Sequence, residues 1–117
     1  MEFSLSEIND VLGDIKNQGE GKKDFLKFKN ISIDSRTLSE NDLFIAIKGT
    51  NFDGHNFLSD VLKKGVKSVV IKKGMQKLLP SDFPCWVVKD TLEAFQKLTL
   101  FKRKKLNIPT VAITGSV

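Results

Sequence analysis

Cysteine and histidine are almost absent from this sequence, which contains one of each, Cys85 and His55. A single cysteine excludes an intramolecular disulfide and is typical of a cytosolic protein. So few cysteine and histidine residues argue against a zinc site. No apolar run approaches the roughly 20 residues that a membrane-spanning helix needs. The N-terminal residues Met1–Ser4 lack the basic start and apolar core of a secretory signal, so we expect a cytoplasmic protein.

The charge balance is positive, with 19 lysines and arginines against 14 acidic residues in a chain of 117 residues. This length suits one domain with one core. The basic clusters stand at the ends of apolar segments, where solvated cations are ordinary; they are Lys22-Lys23, Lys63-Lys64, Lys72-Lys73 and Lys102–Lys105. A nucleic-acid surface would interleave aromatic or polar side chains with the charges, and these clusters lack them. The net charge of +5 suits a small anionic ligand equally well.

A helix-start motif predicts the first element of the chain. Ser4 and Glu7 stand at the N-cap and N3 positions of a capping box, with Phe3 and Ile8 at the positions of a hydrophobic staple. Gly13 is placed to end this helix in a left-handed conformation.

Apolar runs of strand length alternate with helically spaced segments along the rest of the chain. A polar loop over residues 17–24 precedes an extended stretch over 26–33, which changes phase near Lys29. The further predicted elements are strands at 43–47, 68–71, 85–88 and 110–114, helices over about 57–62 and from Asp90 to Lys105, and a stop at Pro109. Such alternation predicts an α/β fold in a single small domain, with a sheet flanked by helices.

The sequence ends at Gly115-Ser116-Val117, directly after the last predicted strand. A strand leading into a glycine-bearing turn is how a phosphate-binding loop begins, because its backbone N–H groups must approach phosphate closely. The Gly-Lys-Ser/Thr that completes such a loop does not follow. The residues alone favour an ordinary chain end over the start of a phosphate loop.

Polar residues are concentrated at Asp34–Thr37, after the first extended stretch. One interpretation, which the residues alone favour, is a turn in which Asp34 and Ser35 accept local N–H groups and Arg36 is solvated or paired with an acid. The other is a binding segment in which Ser35 and Arg36 contact a polar ligand, since a guanidinium suits a planar or anionic partner.

The glycine-bearing loop Lys48–His55 follows a predicted buried strand, at the strand end where open α/β sheets bind ligands. Gly49 and Gly54 allow the backbone to approach a ligand, and Lys48 suits a diphosphate. The candidates for reading hydroxyls or a base are Asn51, Asp53 and His55. The alternative is a β-turn at Asp53-Gly54 with a structural histidine beside it.

The ordered motifs resemble the N-terminal domain of the Mur ligases, ATP-dependent enzymes that form the amide bonds of bacterial cell-wall precursors. The resemblance covers most of the chain from about residue 31. The matching stretches are Ile33–Arg36, Asp42–Gly49, Asp53–Phe57, the helix ending at Lys64-Gly65 before Val69–Ile71, and Val111–Ser116. Each motif alone is weak, whereas their shared order and spacing are specific.

The resemblance also gives the chain end a meaning. In this family the strand that resembles Val111–Ser116 leads into the ATP phosphate loop, so Thr114, Gly115 and Ser116 would begin that loop. This implies a binding domain over 1–106, then a linker and the first strand of a central ATPase domain over 107–117. Thr-Gly-Ser resembles the member that adds D-alanyl-D-alanine. The member that adds diaminopimelate or lysine is the alternative.

The resemblance implies a binding role for the chain, with no catalytic residue of its own. Ser35 and Arg36 match family positions that contact uridine, and the loop matches the segment along uridine and diphosphate. The expected contacts to a UDP-N-acetylmuramoyl-peptide are Ser35, Arg36, Lys48, Gly49, Asn51, Asp53, Gly54 and His55. In the whole enzyme, ATP with Mg²⁺ would phosphorylate the substrate carboxylate, which the amine of D-Ala-D-Ala then attacks. The chain alone is expected to bind no cofactor or metal and to be inactive.

A second class of function is a stand-alone basic module that binds nucleic acid or an acidic protein. Under that hypothesis, substitutions across Lys102–Lys105 would abolish binding, whereas a ligase domain would keep its nucleotide affinity. The family resemblance favours the ligase domain, with no nucleic acid partner, no membrane span and a monomeric state.

Overall fold

Four parallel strands form the main sheet of the computed structural model, which describes residues 3–16 and 27–114, with side chains through residue 105. The strands, in sheet order, are β3 (Asn30–Ser32), β4 (Asp42–Ile45), β5 (Val69–Lys72) and β6 (Cys85–Val88). The register pairs Ile31 with Leu43, Phe44 with Val69, and Val70 with Trp86. Because all four strands are parallel, their carboxyl ends lie at one edge of the sheet.

Helices cover both faces of this sheet. The other elements are β1 (Phe3–Ser4), α1 (Leu5–Leu12), β2 (Lys27–Phe28), a 3₁₀ helix (Gly54–Phe57), α2 (Leu58–Lys63), a second 3₁₀ helix (Gln76–Leu78) and α3 (Thr91–Thr114). Leu43 and Ile45 pack with α1 and α3, whereas Phe44 packs with α2 on the opposite face. Strands buried on both faces explain the continuous apolar runs, and the predicted α/β fold with flanking helices is confirmed.

The predicted capping box begins α1. The Ser4 hydroxyl accepts the Glu7 backbone N–H at 3.3 Å, and the Glu7 carboxylate accepts the Ser4 N–H at 3.0 Å. Phe3 and Ile8, the predicted staple pair, are fully buried in one cluster. Gly13 follows the helix with φ 93° and ψ −177°, so it has the positive φ expected of glycine but an extended rather than left-handed ψ.

The irregularity predicted near Lys29 is a change of sheet. β2 pairs antiparallel with β1, matching Phe3 to Phe28, and β3 begins after Lys29 in the main sheet. The sequence did not predict β1, because a strand of two residues carries no periodicity. The polar loop predicted over 17–24 lies outside the described residues.

Trp86 joins α1 to the sheet and is a core residue, as the buried strand predicted. Its side chain is fully buried, and its indole N–H donates to Asn9 Oδ1 at 2.9 Å and to the Gly13 carbonyl at 3.1 Å. The Phe28 ring packs edge-on against it with centroids 5.9 Å apart. A buried indole N–H with partners fixes α1 over one face of the sheet.

The predicted stop at Pro109 and the strand predicted over 110–114 are both wrong, because α3 continues through Thr114. A strand is stable only beside a strand that pairs with it, and the described strands form their sheets without residues 110–114. A helix forms its backbone hydrogen bonds within the segment, so it needs no partner strand. It can therefore form there even though Pro109 has no backbone N–H to donate. Gly115 and Ser116 lie outside the described residues, so the phosphate-loop assignment stays a prediction, as does the division at residue 106.

An ion pair ties the far part of α3 to α1. Lys105 Nζ donates to both Glu7 carboxylate oxygens, at 2.8 and 2.7 Å, and lies 5.6 Å from the centroid of the Phe3 ring. Partial burial raises the pKa of Glu7, but the Lys105 hydrogen bond and charge and the Ser4 hydrogen bonds outweigh it, so the pKa lies below its ordinary value.

This pair predicts a specific loss of stability in acid. A lowered pKa in the folded state contributes stability above the unfolded pKa of about 4.3, and that stability is lost as the pH falls through the folded value. At neutral pH, Glu7→Gln is expected to be less stable than the unsubstituted chain by about 0.5–1 kcal/mol, a range set by its partial exposure. In urea unfolding measured across acidic pH, the difference in the free energy of unfolding between the two chains should decrease to zero as the pH falls. A difference that persists in strong acid would contradict the lowered pKa of Glu7.

Candidate functional site

In the described part of the chain, the segment after β4 lines two cavities at the carboxyl edge of the main sheet. Open α/β sheets bind ligands at this edge. The aromatic cavity, of about 470 Å³, is lined by Ile33, Asp34, Ser35, Arg36, Phe52 and Phe57. The basic cavity, of about 490 Å³, is lined by Lys48, Gly49, Thr50, Lys72, Lys89, Asp90, Thr91 and Leu92. The segment that follows β4 contributes residues to both, so one loop joins the two halves of the site.

The segment after β3 forms one wall of the aromatic cavity. Asp34 Oδ1 accepts the Arg36 backbone N–H at 2.8 Å, and the Asp34 carboxylate pairs with the Arg36 guanidinium at 3.2 Å. These hydrogen bonds from Arg36 hold the pKa of Asp34 below its usual value. The predicted turn is therefore present. The Arg36 side chain is still 87% exposed, so the turn presents a guanidinium beside the cavity.

Two phenylalanines form the opposite wall. The rings of Phe52 and Phe57 stack with centroids 5.8 Å apart and an angle of 23°, and these residues are 49% and 38% exposed. Ile33 on the other side is 40% exposed. Exposed ring faces next to a hydroxyl and a guanidinium suit a planar ligand with polar edges.

Sequence reasoning did not identify these rings as site residues. Phe57 has the spacing of a buried helix position, yet it ends the first 3₁₀ helix and faces the cavity. The available signal was an aromatic residue on each side of the Asp-Gly-His motif, in a loop that already contained glycines.

The loop after β4 folds back on the strand that precedes it. The Gly49 N–H donates to the Phe52 carbonyl at 2.6 Å, and the Gly54 N–H donates to the Ile47 carbonyl at 2.7 Å. Gly54 is buried, and a Cβ there would lie 3.0 Å from the Ala46 Cα and the Ile47 nitrogen. Gly54 is therefore required by close backbone packing, while Gly49 lines the basic cavity in open surroundings.

His55 lies beneath this loop, where it has no access to solvent. Its side chain is 1% exposed, Nδ1 lies 2.6 Å from Asp53 Oδ1, and Nε2 accepts the Lys72 backbone N–H at 3.0 Å. Both ring nitrogens therefore have protein partners. This geometry fits the alternative of a structural histidine, and the expected contact from His55 to a ligand stays a prediction. Asn51 is exposed at the loop tip and lines neither cavity.

Asp53 connects this histidine to the basic cavity. Its carboxylate accepts the His55 backbone N–H at 3.0 Å and lies 3.5 Å from Lys48 Nζ. Partial burial raises the pKa of Asp53, but the His55 hydrogen bonds and the Lys48 charge lower it by more. The pKa of Asp53 is therefore below its usual value. A charged Asp53 at neutral pH holds Lys48 at the rim of the basic cavity.

Three lysines line the basic cavity, each positioned after a different strand. Lys48 follows β4, Lys72 ends β5 and Lys89 follows β6. In the described part of the chain, no ion pair involves Lys72 or Lys89. The sequence placed Lys72 in a solvated cluster at a segment end, although a lysine after each of three parallel strands indicates convergence at one edge.

The start of α3 borders the same cavity. Asp90 caps the helix as predicted, accepting the N–H groups of Leu92 and Glu93 at 3.0 and 3.2 Å. The Thr91 hydroxyl accepts the Lys48 backbone N–H at 3.1 Å, which fixes the loop against the helix. Three cations and one carboxylate leave the cavity with net positive charge, which suits an anionic group.

These features define an open α/β domain with two cavities beyond the carboxyl ends of its strands. The Mur ligase family, catalytic domain, matches residues 27–110, and the chain belongs to this family. The family resemblance drawn from the motifs is confirmed.

Similar proteins include two kinds of Mur ligase. The chain is 36% identical over 92 residues to the UDP-N-acetylmuramoyl-tripeptide–D-alanyl-D-alanine ligase of Synechocystis, covering 79% of this chain and 20% of that protein. It is 33% identical over 117 residues to the UDP-N-acetylmuramoyl-L-alanyl-D-glutamate–2,6-diaminopimelate ligase of Alkaliphilus metalliredigens, covering 97% of this chain and 22% of that protein. The chain thus spans about a fifth of the length of these curated relatives.

The fold is that of a solved Mur ligase. The crystal structure of MurF from Acinetobacter baumannii matches 90% of this chain and 22% of its own length, with a TM-score of 0.70 and 23% sequence identity. The described residues include no helix long and apolar enough to cross a bilayer.

Proposed function

We propose that this chain is the part of a peptidoglycan-precursor ligase that binds the uridine diphosphate end of a UDP-N-acetylmuramoyl-peptide. The observation that carries the proposal is the pairing of an aromatic cavity and a basic cavity on one strand edge. A nucleoside diphosphate has the same two parts, a planar base and an anionic tail. Membership of the Mur ligase family supports this substrate class.

The aromatic cavity suits the uracil ring. Stacking on Phe52 and Phe57 would hold the base, while Ser35 and Arg36 supply a hydroxyl and a guanidinium for its polar edge. The basic cavity suits the diphosphate, through Lys48, Lys72 and Lys89 and the backbone beside Gly49. His55 and Gly54 shape the loop between the two cavities.

Binding here would orient the substrate for chemistry elsewhere. Affinity for a remote part of a substrate fixes its reactive group in place and lowers the entropy cost of reaction. In the whole enzyme, ATP with Mg²⁺ would activate the substrate carboxylate for attack by an amine. The described residues contain no cluster of acidic, histidine and cysteine side chains suited to a metal ion. The role proposed for this chain is binding and orientation of the substrate.

The amine is proposed to be D-alanyl-D-alanine. Thr114-Gly115-Ser116 and the similarity to the Synechocystis D-alanyl-D-alanine ligase support this choice. The alternative is a diaminopimelate- or lysine-adding ligase, which the similarity to the Alkaliphilus protein favours. An assay of the whole protein with D-Ala-D-Ala and with diaminopimelate, each as sole amine, distinguishes the two by which one is joined to substrate.

Calorimetric titration of the 117-residue chain with UDP tests the binding role. We expect saturable binding that a short single-stranded oligonucleotide does not displace. Lys102→Gln with Lys104→Gln should leave UDP affinity unchanged, and Lys105 is kept because it pairs with Glu7. The stand-alone basic module would instead be supported if the unsubstituted chain bound the oligonucleotide but not UDP, and if these substitutions abolished the oligonucleotide binding.

Removing one ring of the aromatic cavity should weaken UDP binding selectively. Phe52→Ala is expected to lower UDP affinity by about tenfold, because stacking of a base on an aromatic ring contributes about 1–3 kcal/mol. Phe52 is 49% exposed, so stability should change little. Leu78→Ala is the matched control, since Leu78 is an exposed apolar residue, 44% accessible, outside both cavities. Equal UDP affinity in both variants would show that Phe52 does not contact the base.

A further inference from the structure

His55 connects the ends of two strands while lying out of reach of solvent. Its ring accepts the backbone N–H of Lys72, the last residue of β5, and contacts Asp53, which follows β4. Each of these partners leads to a lysine of the basic cavity, since Asp53 pairs with Lys48 and Lys72 carries its own ammonium group. The histidine is therefore linked to both lysines through its partners, although it does not line the cavity.

The hydrogen bonds determine which form of the ring is present. The Lys72 backbone N–H can only donate, so Nε2 must be the unprotonated acceptor. Nδ1 then carries the hydrogen and donates to Asp53 Oδ1 at 2.6 Å. A ring in this neutral Nδ1–H tautomer has no nitrogen left for a ligand, whereas a solvated histidine would exchange between tautomers.

Other contacts join the loop to itself, to the segment just after β4 and to α3. The antiparallel bridge between Lys48 and Asp53 closes the loop on itself, and the Gly54 N–H donates to the Ile47 carbonyl just after β4. None of these contacts links the loop to β5. Among the side-chain hydrogen bonds of the described residues, the one from the Lys72 N–H to His55 makes that connection.

We propose that His55 is a positioning residue that sets the spacing between Lys48 and Lys72, and through it the affinity of the basic cavity for a diphosphate. The inference rests on the proposed function for the identity of the ligand. The role of this histidine is indirect, because it acts on Lys48 through Asp53 and on Lys72 through the Lys72 backbone. The two hydrogen-bond partners of the His55 side chain, Asp53 and Lys72, do not line the aromatic cavity.

Two substitutions separate the two hydrogen bonds of the ring. His55→Asn keeps a donor near the Nδ1 position and loses the contact to Lys72, whereas His55→Gln keeps an acceptor near the Nε2 position and loses the donation to Asp53. Each variant should bind UDP and inorganic pyrophosphate about tenfold more weakly, as loss of an outer partner of a binding group commonly does. Uridine affinity should be unchanged. Asn56→Gln is the matched control, because Asn56 is an exposed neighbour of His55 and the substitution does not change the charge.

Because His55 is the only histidine, nitrogen NMR of the unsubstituted chain provides a second test that needs no variant. The ring should show the Nδ1–H tautomer in the free chain and keep the same pattern when the chain is saturated with UDP. A change of tautomer or a new hydrogen bond on Nε2 would mean that His55 contacts the ligand, which overturns the proposal.

The outcomes separate the inference from the proposed function. If the unsubstituted chain binds UDP and a folded His55→Asn or His55→Gln chain binds it equally well, the positioning role is wrong and the UDP site stands. If the unsubstituted chain binds neither UDP nor pyrophosphate, the proposed function fails and the inference fails with it. Weaker binding of UDP and pyrophosphate with unchanged uridine affinity and an unchanged tautomer supports both.

Discussion

Replacing Gly54 with alanine is expected to destabilise the chain strongly and to abolish UDP binding. The added methyl group would lie 3.0 Å from the Ala46 Cα and the Ile47 nitrogen, and 3.2 Å from the Ala46 carbonyl carbon. These are backbone atoms of the segment that follows β4, so they cannot move aside as a flexible side chain would. Overpacking of this kind costs about 1–3 kcal/mol, and a clash with backbone belongs at the upper end of that range.

The loss of binding has a separate cause. Gly54 begins the first 3₁₀ helix, and its N–H donates to the Ile47 carbonyl. Moving it would displace Asp53 on one side and His55 on the other, and with them the boundary between the two cavities. Urea unfolding gives the stability change, and calorimetry with UDP under folding conditions gives the change in affinity.

Gly49→Ala is the matched control in the same loop. A Cβ at Gly49 would meet only the Phe52 carbonyl oxygen, at 3.8 Å, which is ordinary van der Waals contact. Its stability should change by no more than about 0.5 kcal/mol. If both alanine variants lost the same stability, close packing at Gly54 would not be the reason for its glycine.

Removing two of the three lysines of the basic cavity should produce the largest selective loss of affinity. In the double variant Lys72→Met with Lys89→Met, each lost contact to a phosphate is worth about 1 kcal/mol after allowance for solvent exposure. The sum corresponds to about a thirtyfold weaker affinity for UDP. Uridine affinity should be unaffected, because uridine carries no phosphate.

The control for this variant carries the same change of net charge outside the cavity. Lys73→Met with Lys77→Met removes two exposed lysines that line neither cavity. Its UDP affinity should stay within about twofold, since long-range electrostatic effects are largely screened at physiological salt. Equal losses in the two double variants would indicate a general charge effect and contradict a diphosphate site at Lys72 and Lys89.

Much of the fold was predictable because its signals are local. The capping box of α1 is read from Ser4 and Glu7, and the buried strands β4, β5 and β6 from short apolar runs. The predictions from sequence failed where a segment far away in the chain determines the local structure. β1 exists because Phe3 pairs with Phe28, and residues 110–114 are helical where periodicity predicted a strand.

The site was predictable in position but only partly in its residues. The rule that ligands bind beyond the carboxyl ends of strands predicted a site in the loop that contains Lys48, and the concentration of polar residues indicated Ser35 and Arg36. All three residues line a cavity. Lys72 and Lys89 were missed because each follows a different strand and they converge only in the folded sheet. The burial of His55 and its hydrogen bond to the Lys72 N–H were not predicted, because they depend on a distant strand, and its predicted contact to a ligand stays a prediction.

A comparison of three NMR titrations tests the division of the site most directly. The isotopically labelled chain is titrated separately with uridine, with inorganic pyrophosphate and with UDP. We expect uridine to shift signals at Ser35, Arg36 and Phe52, pyrophosphate to shift those at Gly49, Lys72 and Lys89, and UDP to shift both sets. A folded chain in which UDP shifts neither set, or in which pyrophosphate shifts only Lys102–Lys105, would contradict a uridine diphosphate site at this edge of the sheet.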